Sequence, residues 1–196
     1  MSPGPAKQFD RDEVLERAMQ LFWAEGYEAT GMTRILEHVG IGRQSLYDTF
    51  GDKRGLFLET LAHYFRTRIG PVMAQLREPG SPVGNIRKVV AMLENEAKQG
   101  RFHGCLVGNT AAEIASNDPE IAEKLRAYFR ALEDAFHDTF VRAQEAGEVA
   151  AELDPRDLAR VFLHTLQGVA VVSKAIRDPE MASSVIRSSL SLLTAP

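Results

Sequence analysis

The chain reads as an all-α protein. An N-terminal three-helix module, arranged as a helix-turn-helix, is followed by a larger helical domain, with about nine helices in all. Three observations carry this reading. Apolar residues recur at intervals of three and four through most of the 196 residues. Asp-Pro pairs at Asp118-Pro119, Asp154-Pro155 and Asp178-Pro179 each place a carboxylate cap before a residue that needs no helical donor. No stretch alternates apolar and polar residues as a half-buried strand does, and no internal repeat is visible.

Residues 1–9 are rich in Pro and Gly, lack periodicity, and read as a disordered arm. Asp10 then caps the first helix, with Glu13 three residues on, and Val14, Leu15, Ala18, Leu21 and Phe22 form its inner face. Gly26 stops that run. Thr33 is expected to cap a short second helix carrying Ile35, Leu36 and Val39. Gly40-Ile41-Gly42 makes a tight connection, and a third helix spans Arg43 to Phe50. With Asp52 as the next cap, the reading sets a three-helix N-terminal helix-turn-helix domain at 10–51 and a larger helical domain at 52–196.

The fourth helix begins near Lys53 and reaches about Gln75, with Gly70-Pro71 forcing a kink or break. Ser81-Pro82 opens a fifth, residues 100–104 connect, and a sixth runs from about Cys105 to Ser116. The seventh carries Ile121, Leu125, Phe129, Leu132, Phe136 and Phe140 three or four apart and ends at Gly147; the eighth and ninth follow the last two Asp-Pro pairs.

Composition excludes several classes. No apolar run approaches the ~18 residues of a membrane span, and the N-terminus lacks the basic-then-apolar pattern of a secretory signal, so the expected compartment is the cytoplasm. A single cysteine, Cys105, excludes an internal disulfide framework and a Cys-rich zinc module. His103, His137 and His164 lack metal-ligand spacing, and no nucleophile–base pair or phosphate loop is present, so no catalytic residue, metal or cofactor is expected. Net charge argues for no particular partner. It is −4 overall, and residues 1–55 hold 7 Lys/Arg against 9 Asp/Glu.

The case for nucleic acid therefore rests on a motif, the stretch from Thr33 to Lys53. A helix-turn-helix needs a bracing helix, a Gly-containing turn, and a second helix whose leading residues face the major groove. Leu46 and Phe50, four apart, form the inward face of the third helix. Arg43, Gln44, Ser45, Tyr47, Asp48 and Thr49 are left for DNA. Arg reads guanine and Gln reads adenine through paired hydrogen bonds, while hydroxyls hold phosphates. Lys53 adds a cation at a helix start. The alternative is a three-helix packing unit in a small-molecule-binding protein without DNA activity.

The same stretch resembles the DNA-binding domain of the TetR family of regulators. The matching residues are Thr33, Ile35, Gly40-Ile41, Leu46-Tyr47, Phe50, Asp52-Lys53 and Leu56, with Ala18, Leu21-Phe22, Gly26-Tyr27 and Thr30 upstream. The specific likeness covers residues 10–60; beyond it only the architecture is similar. The resemblance implies a homodimer on a near-palindromic double-stranded operator, contacted by Thr33, Arg43, Gln44, Ser45, Tyr47, Thr49 and Lys53. It also implies a small-molecule effector that binds the C-terminal domain and releases the DNA. Two departures stand out: Gly42 where the family often has Ser or Thr, and Asp48-Thr49 where it often has His. Asp48 near phosphates is unfavourable unless it accepts from a cytosine amino group or pairs with Arg43.

In the expected sensing domain, the sixth helix is apolar except for Cys105, Asn109 and Glu113, which share one face at i, i+4 and i+8. Such a stripe on a buried helix needs partners, and a ligand cavity lined also by Phe65, Phe102 and Phe129 supplies them; the alternative is contact with solvent or neighbouring elements. Phe136 and Phe162 join that aromatic set or the core. Cys105, after Arg101 and His103 at a helix start, reads either as a reactive thiol or as a buried core residue. For the dimer, the last two helices offer small Gly168, Ala170 and Ser173, and apolar Val161, Leu166, Val169, Val172, Met181, Val185, Ile186, Leu190 and Leu193. Packing within one chain is the competing use of those residues.

Overall fold

The computed structural model describes residues 9–98, 103–176 and 178–193. Its helices are α1 (Arg11–Glu25), α2 (Met32–Val39), α3 (Arg43–Phe50), α4 (Lys53–Tyr64), α5 (Gly70–Arg77), α6 (Pro82–Lys98), α7 (Leu106–Ile114), α8 (Pro119–Glu145), α9 (Pro155–Ile176) and α10 (Pro179–Leu193). Among the described residues no strand occurs, and no helix is long and apolar enough to cross a membrane. The all-α class holds. The expected disordered arm lies outside the described residues except for Phe9.

The expected fourth helix is a run of α4, a π-helical turn at Phe65–Ile69, and α5, with Pro71 in the first turn of α5. Proline has no N–H, and its ring crowds the carbonyl four residues back; the wider turn just before it relieves that conflict. The chain divides into two compact units, Met1–Thr67 and Arg68–Pro196, so the division falls later than the boundary expected after Gly51. The cause is packing: α4 lies along α1 and contacts α3, and therefore belongs to the first unit.

In the first unit, Val14, Leu15, Ala18, Leu21 and Phe22 of α1 are buried with Ile35 and Val39 of α2, Leu46 and Phe50 of α3, and Leu56, Phe57 and Leu61 of α4. Phe57 meets Phe22 edge-on at 5.0 Å and Tyr27 at 4.5 Å between ring centroids. Burying such side chains supplies roughly 1.5–3 kcal/mol each. Beneath α1, the buried His63 accepts at Nδ1 from Arg66 at 3.1 Å and faces Glu16 with Nε2 at 3.2 Å. A guanidinium only donates, so the ring proton sits on Nε2 and points at the Glu16 carboxylate.

In the second unit α8 packs on α5, α6, α7 and α9, and α10 packs on α6 and α9. Leu76, Ile86, Val107, Ile121, Phe136, Phe140 and Phe162 are fully buried there. Phe136 and Phe162 stack edge-on at 5.2 Å, which makes them core rather than cavity lining.

Candidate nucleic-acid interface

The caps of the first unit differ in a way that bears on function. The Asp10 carboxylate accepts from the backbone of Asp12 and Glu13, and that of Asp52 accepts from Gly55. By contrast, α2 starts at Gly31 and α3 at Gly42, neither with a side-chain cap. A Cβ at either glycine would meet nothing within 4 Å, so both starts open on free space. The unpaired N–H groups of two helix N-termini, with their positive dipole ends, are donors suited to phosphate oxygens. The expected cap at Thr33 is corrected by this geometry: Thr33 is the exposed second residue of α2 and caps nothing.

The turn between α2 and α3 is built on Gly40, left-handed at φ 73°, whose N–H bonds back to Leu36. On α3, Leu46 and Phe50 face inward, while Arg43, Gln44, Tyr47 and Asp48 are exposed. Ser45 and Thr49 are half-buried, and the Thr49 hydroxyl donates to the Ser45 carbonyl at 2.6 Å, so it is engaged within the helix. Gln44 Nε2 donates to Asp48 Oδ1 at 2.8 Å. Arg43 has neither a hydrogen bond nor an ion pair among the described residues, and the Tyr47 side chain is 39% exposed.

Lys53 opens α4 with its ammonium 4.4 Å from the Tyr27 ring centroid, an arrangement that holds the cation near the end of α3. Arg34 is tied to Glu25 at 2.8 Å, and this hydrogen bond holds the Glu25 carboxyl below the usual carboxylate range. Sequence reading missed two residues here: Asp48 as partner of Gln44, which the i, i+4 spacing on α3 could have revealed, and Tyr27 as the platform for Lys53, which no local pattern announces.

The residues expected to hold an effector are dispersed. Phe65 is half-buried in the first unit, while Cys105, Asn109, Glu113 and Phe129 belong to the second; Phe102 lies outside the described residues. Helix α7 is not buried all round, since Ala112 is exposed and Asn109 and Glu113 are half-buried. Asn109 Nδ2 donates to the His103 carbonyl at 3.0 Å, so it needs no cavity to satisfy it. Cys105 is buried at the N-cap position of α7. A cleft of about 240 Å³ lies elsewhere, between α6 and α10, lined by Arg87, Val90, Glu94, Arg187, Leu190 and Ser191.

The expected dimer residues divide sharply. Val161, Gly168, Val172 and Val185 are exposed on α9 and α10, and Val171, Ile176 and Leu192 extend this apolar surface. Val169 and Ile186 are 8% and 6% exposed and serve the chain's own core instead. Both faces of α9 are apolar, and periodicity alone does not say which one its own chain covers.

Residues 14–60 match the family described as bacterial regulatory proteins, tetR family, and residues 82–189 match the tetracyclin repressor-like C-terminal domain. The HTH-type transcriptional regulator YezE of Bacillus subtilis is 36% identical over 97% of this chain and 99% of its own length. The chain belongs to the TetR family. It is a DNA-binding transcriptional regulator of that family. The HTH-type transcriptional repressor ComR of Escherichia coli is 29% identical to this TetR-family regulator, covering 88% of this chain and 83% of ComR. A solved structure of the TetR family regulator CifR, a cysteine mutant complexed with 26-base-pair operator DNA, aligns with a TM-score of 0.81 at 29% identity. It covers 94% of this chain and 97% of that one.

Proposed function

We propose that this TetR-family protein is a repressor that binds a near-palindromic operator as a homodimer and leaves it when a small molecule occupies its second unit. The observation that carries the DNA-binding role is the surface of the first unit. Two uncapped helix starts at Gly31 and Gly42 flank an exposed Arg43-Gln44-Tyr47-Asp48 tip, with the Lys53 cation beside it. Gln44 and Arg43 face base edges, and Ser45 contributes where the groove wall comes close. Tyr47, Lys53 and the N–H groups near Thr33 take phosphates, while Thr49 supports the helix from within.

The dimer forms through the exposed face of α9 and α10, where Val161, Gly168, Val172 and Ile176 follow one stripe and Val185 and Leu192 another. Two-fold symmetry then sets two α3 helices about one DNA turn apart, roughly 34–36 Å. Release requires the effector to prefer the state that binds DNA poorly, a coupling of typically about 1–3 kcal/mol. Cys105 and, on α7 and α8, Asn109, Glu113 and Phe129 remain the residues to test for that ligand. This reading needs no catalytic residue, and a regulator that acts on DNA is expected in the cytoplasm.

Selection of bound duplexes from a randomised library at low salt tests the reading directly. The expected result is one enriched inverted repeat bound by two chains. A protein that binds every duplex equally would remove the base-reading role of α3, and one that binds none would favour the class of small-molecule-binding proteins.

A further inference from the structure

On α3 the residues opposite the buried Leu46 and Phe50 are Gln44 and Asp48, one turn apart and both exposed. The Asp48 carboxylate only accepts, so the amide end that faces it at 2.8 Å is Nε2, and Gln44 Oε1 points away from it. Among the described residues no cation pairs with Asp48. The Gln44–Asp48 pair therefore presents an amide oxygen, a carboxylate with spare lone pairs, and one remaining amide N–H. It is rich in acceptors and carries a negative charge.

The major-groove edges of the bases respond differently to such a tip. Guanine shows only acceptors, N7 and O6, and thymine shows only the O4 acceptor beside a methyl group. Adenine shows an amino donor beside an acceptor, and cytosine shows an amino donor. A Gln44 amide held by Asp48 has its oxygen free for the adenine amino group and one N–H free for N7. The carboxylate itself suits the cytosine amino group. Against guanine it sets acceptor on acceptor with no proton between them.

We propose that Asp48 determines specificity, orienting Gln44 toward adenine and excluding the acceptor-only edges of guanine and thymine from the strand position of each half-site that faces the pair, so that this position carries an amino-bearing base, adenine or cytosine. The proposal rests on the DNA-reading role of α3 given above. It also gives the negative charge at the groove a use: Asp48 weakens phosphate attraction for every sequence, and only a site with an amino group in place recovers the loss.

The test is base selection from a randomised duplex library by the full-length wild type and by Asp48→Ala, Asp48→Asn and Gln44→Ala. Wild-type sites are expected to lack guanine and thymine at one strand position per half-site. Asp48→Ala and Asp48→Asn admit them, with the guanine share rising on the order of tenfold. Gln44→Ala loses the adenine preference but keeps the exclusion of guanine. Circular dichroism confirms that these surface variants retain their helices. A wild-type site reproduced unchanged by Asp48→Ala overturns this proposal alone. A library from which the wild type enriches nothing overturns the DNA-reading role, and this proposal with it.

Discussion

Gly55 passes so close to the Phe50 carbonyl that a Cβ at position 55 would lie 2.0 Å from that oxygen. The obstacle is backbone at the end of α3, not the tip of a side chain that could swing aside. Ala at a helical position ordinarily gains about 1 kcal/mol over Gly. Here the clash outweighs that gain by forcing the ends of α3 and α4 apart. Gly55→Ala is expected to destabilise the protein by roughly 1–3 kcal/mol and to weaken operator binding. Thermal unfolding and fluorescence anisotropy measure both effects, and an unchanged or raised Tm contradicts the account.

Gly42 offers the opposite case, because its φ of −68° and ψ of 152° suit any residue and the space around its missing Cβ is empty. Gly42→Asp supplies the absent cap and is expected to add a few tenths of a kcal/mol to stability. The same carboxylate occupies the N–H groups assigned to phosphate, so DNA affinity drops about tenfold or more. Affinity that rises together with stability would remove the α3 N-terminus from the phosphate contacts.

For Lys53→Ala the expected loss is uniform across sequences, and the slope of log affinity against log salt flattens by about one. A change in base preference instead of in slope would reassign Lys53 to base reading.

The two neighbouring valines of α9 separate interface from core. Val172 is 44% exposed and Val169 only 8% exposed. Val172→Lys is expected to split the dimer, with unpaired buried charges costing about 3–5 kcal/mol, while helicity is kept. Val169→Lys unfolds the second unit instead. Sedimentation velocity and far-UV circular dichroism distinguish these outcomes, and a Val172→Lys dimer as tight as the parent rules this surface out.

Cys105 is 9% exposed, so native alkylation waits for local opening and is expected to run about a hundredfold or more slower than in denatured protein. Mass spectrometry of a timed reaction reads the ratio. Equal rates would revive the reading of Cys105 as a reactive thiol.

What the sequence made legible is what depends on near neighbours along the chain. Asp10, Asp52, Asp118, Asp154 and Asp178 all accept from backbone N–H groups at helix starts, since a cap needs only the next three residues. Pro71 announced a disturbance in the fourth helix, but the missing donor alone does not decide between a kink and a π turn. The burial of α7 was overestimated because Gly and Ala are small enough to sit on a surface at little cost. For Val169 and Ile186, apolar character alone does not reveal which chain covers them. The pairing of Gln44 with Asp48 lies within reach of local reasoning, because residues four apart on a helix face each other.

A dimer closed over the apolar face of α9 and α10, as proposed above, would make the amount of protein in the cell a regulatory variable. A subunit with Val161, Val172, Ile176 and Leu192 facing water gains stability from a second copy. While subunits are mostly single, operator occupancy grows with the square of their number, so a modest fall in synthesis or a dilution at division reduces repression more than proportionally. Below that threshold the regulated promoter escapes without any effector, and above it further synthesis changes little.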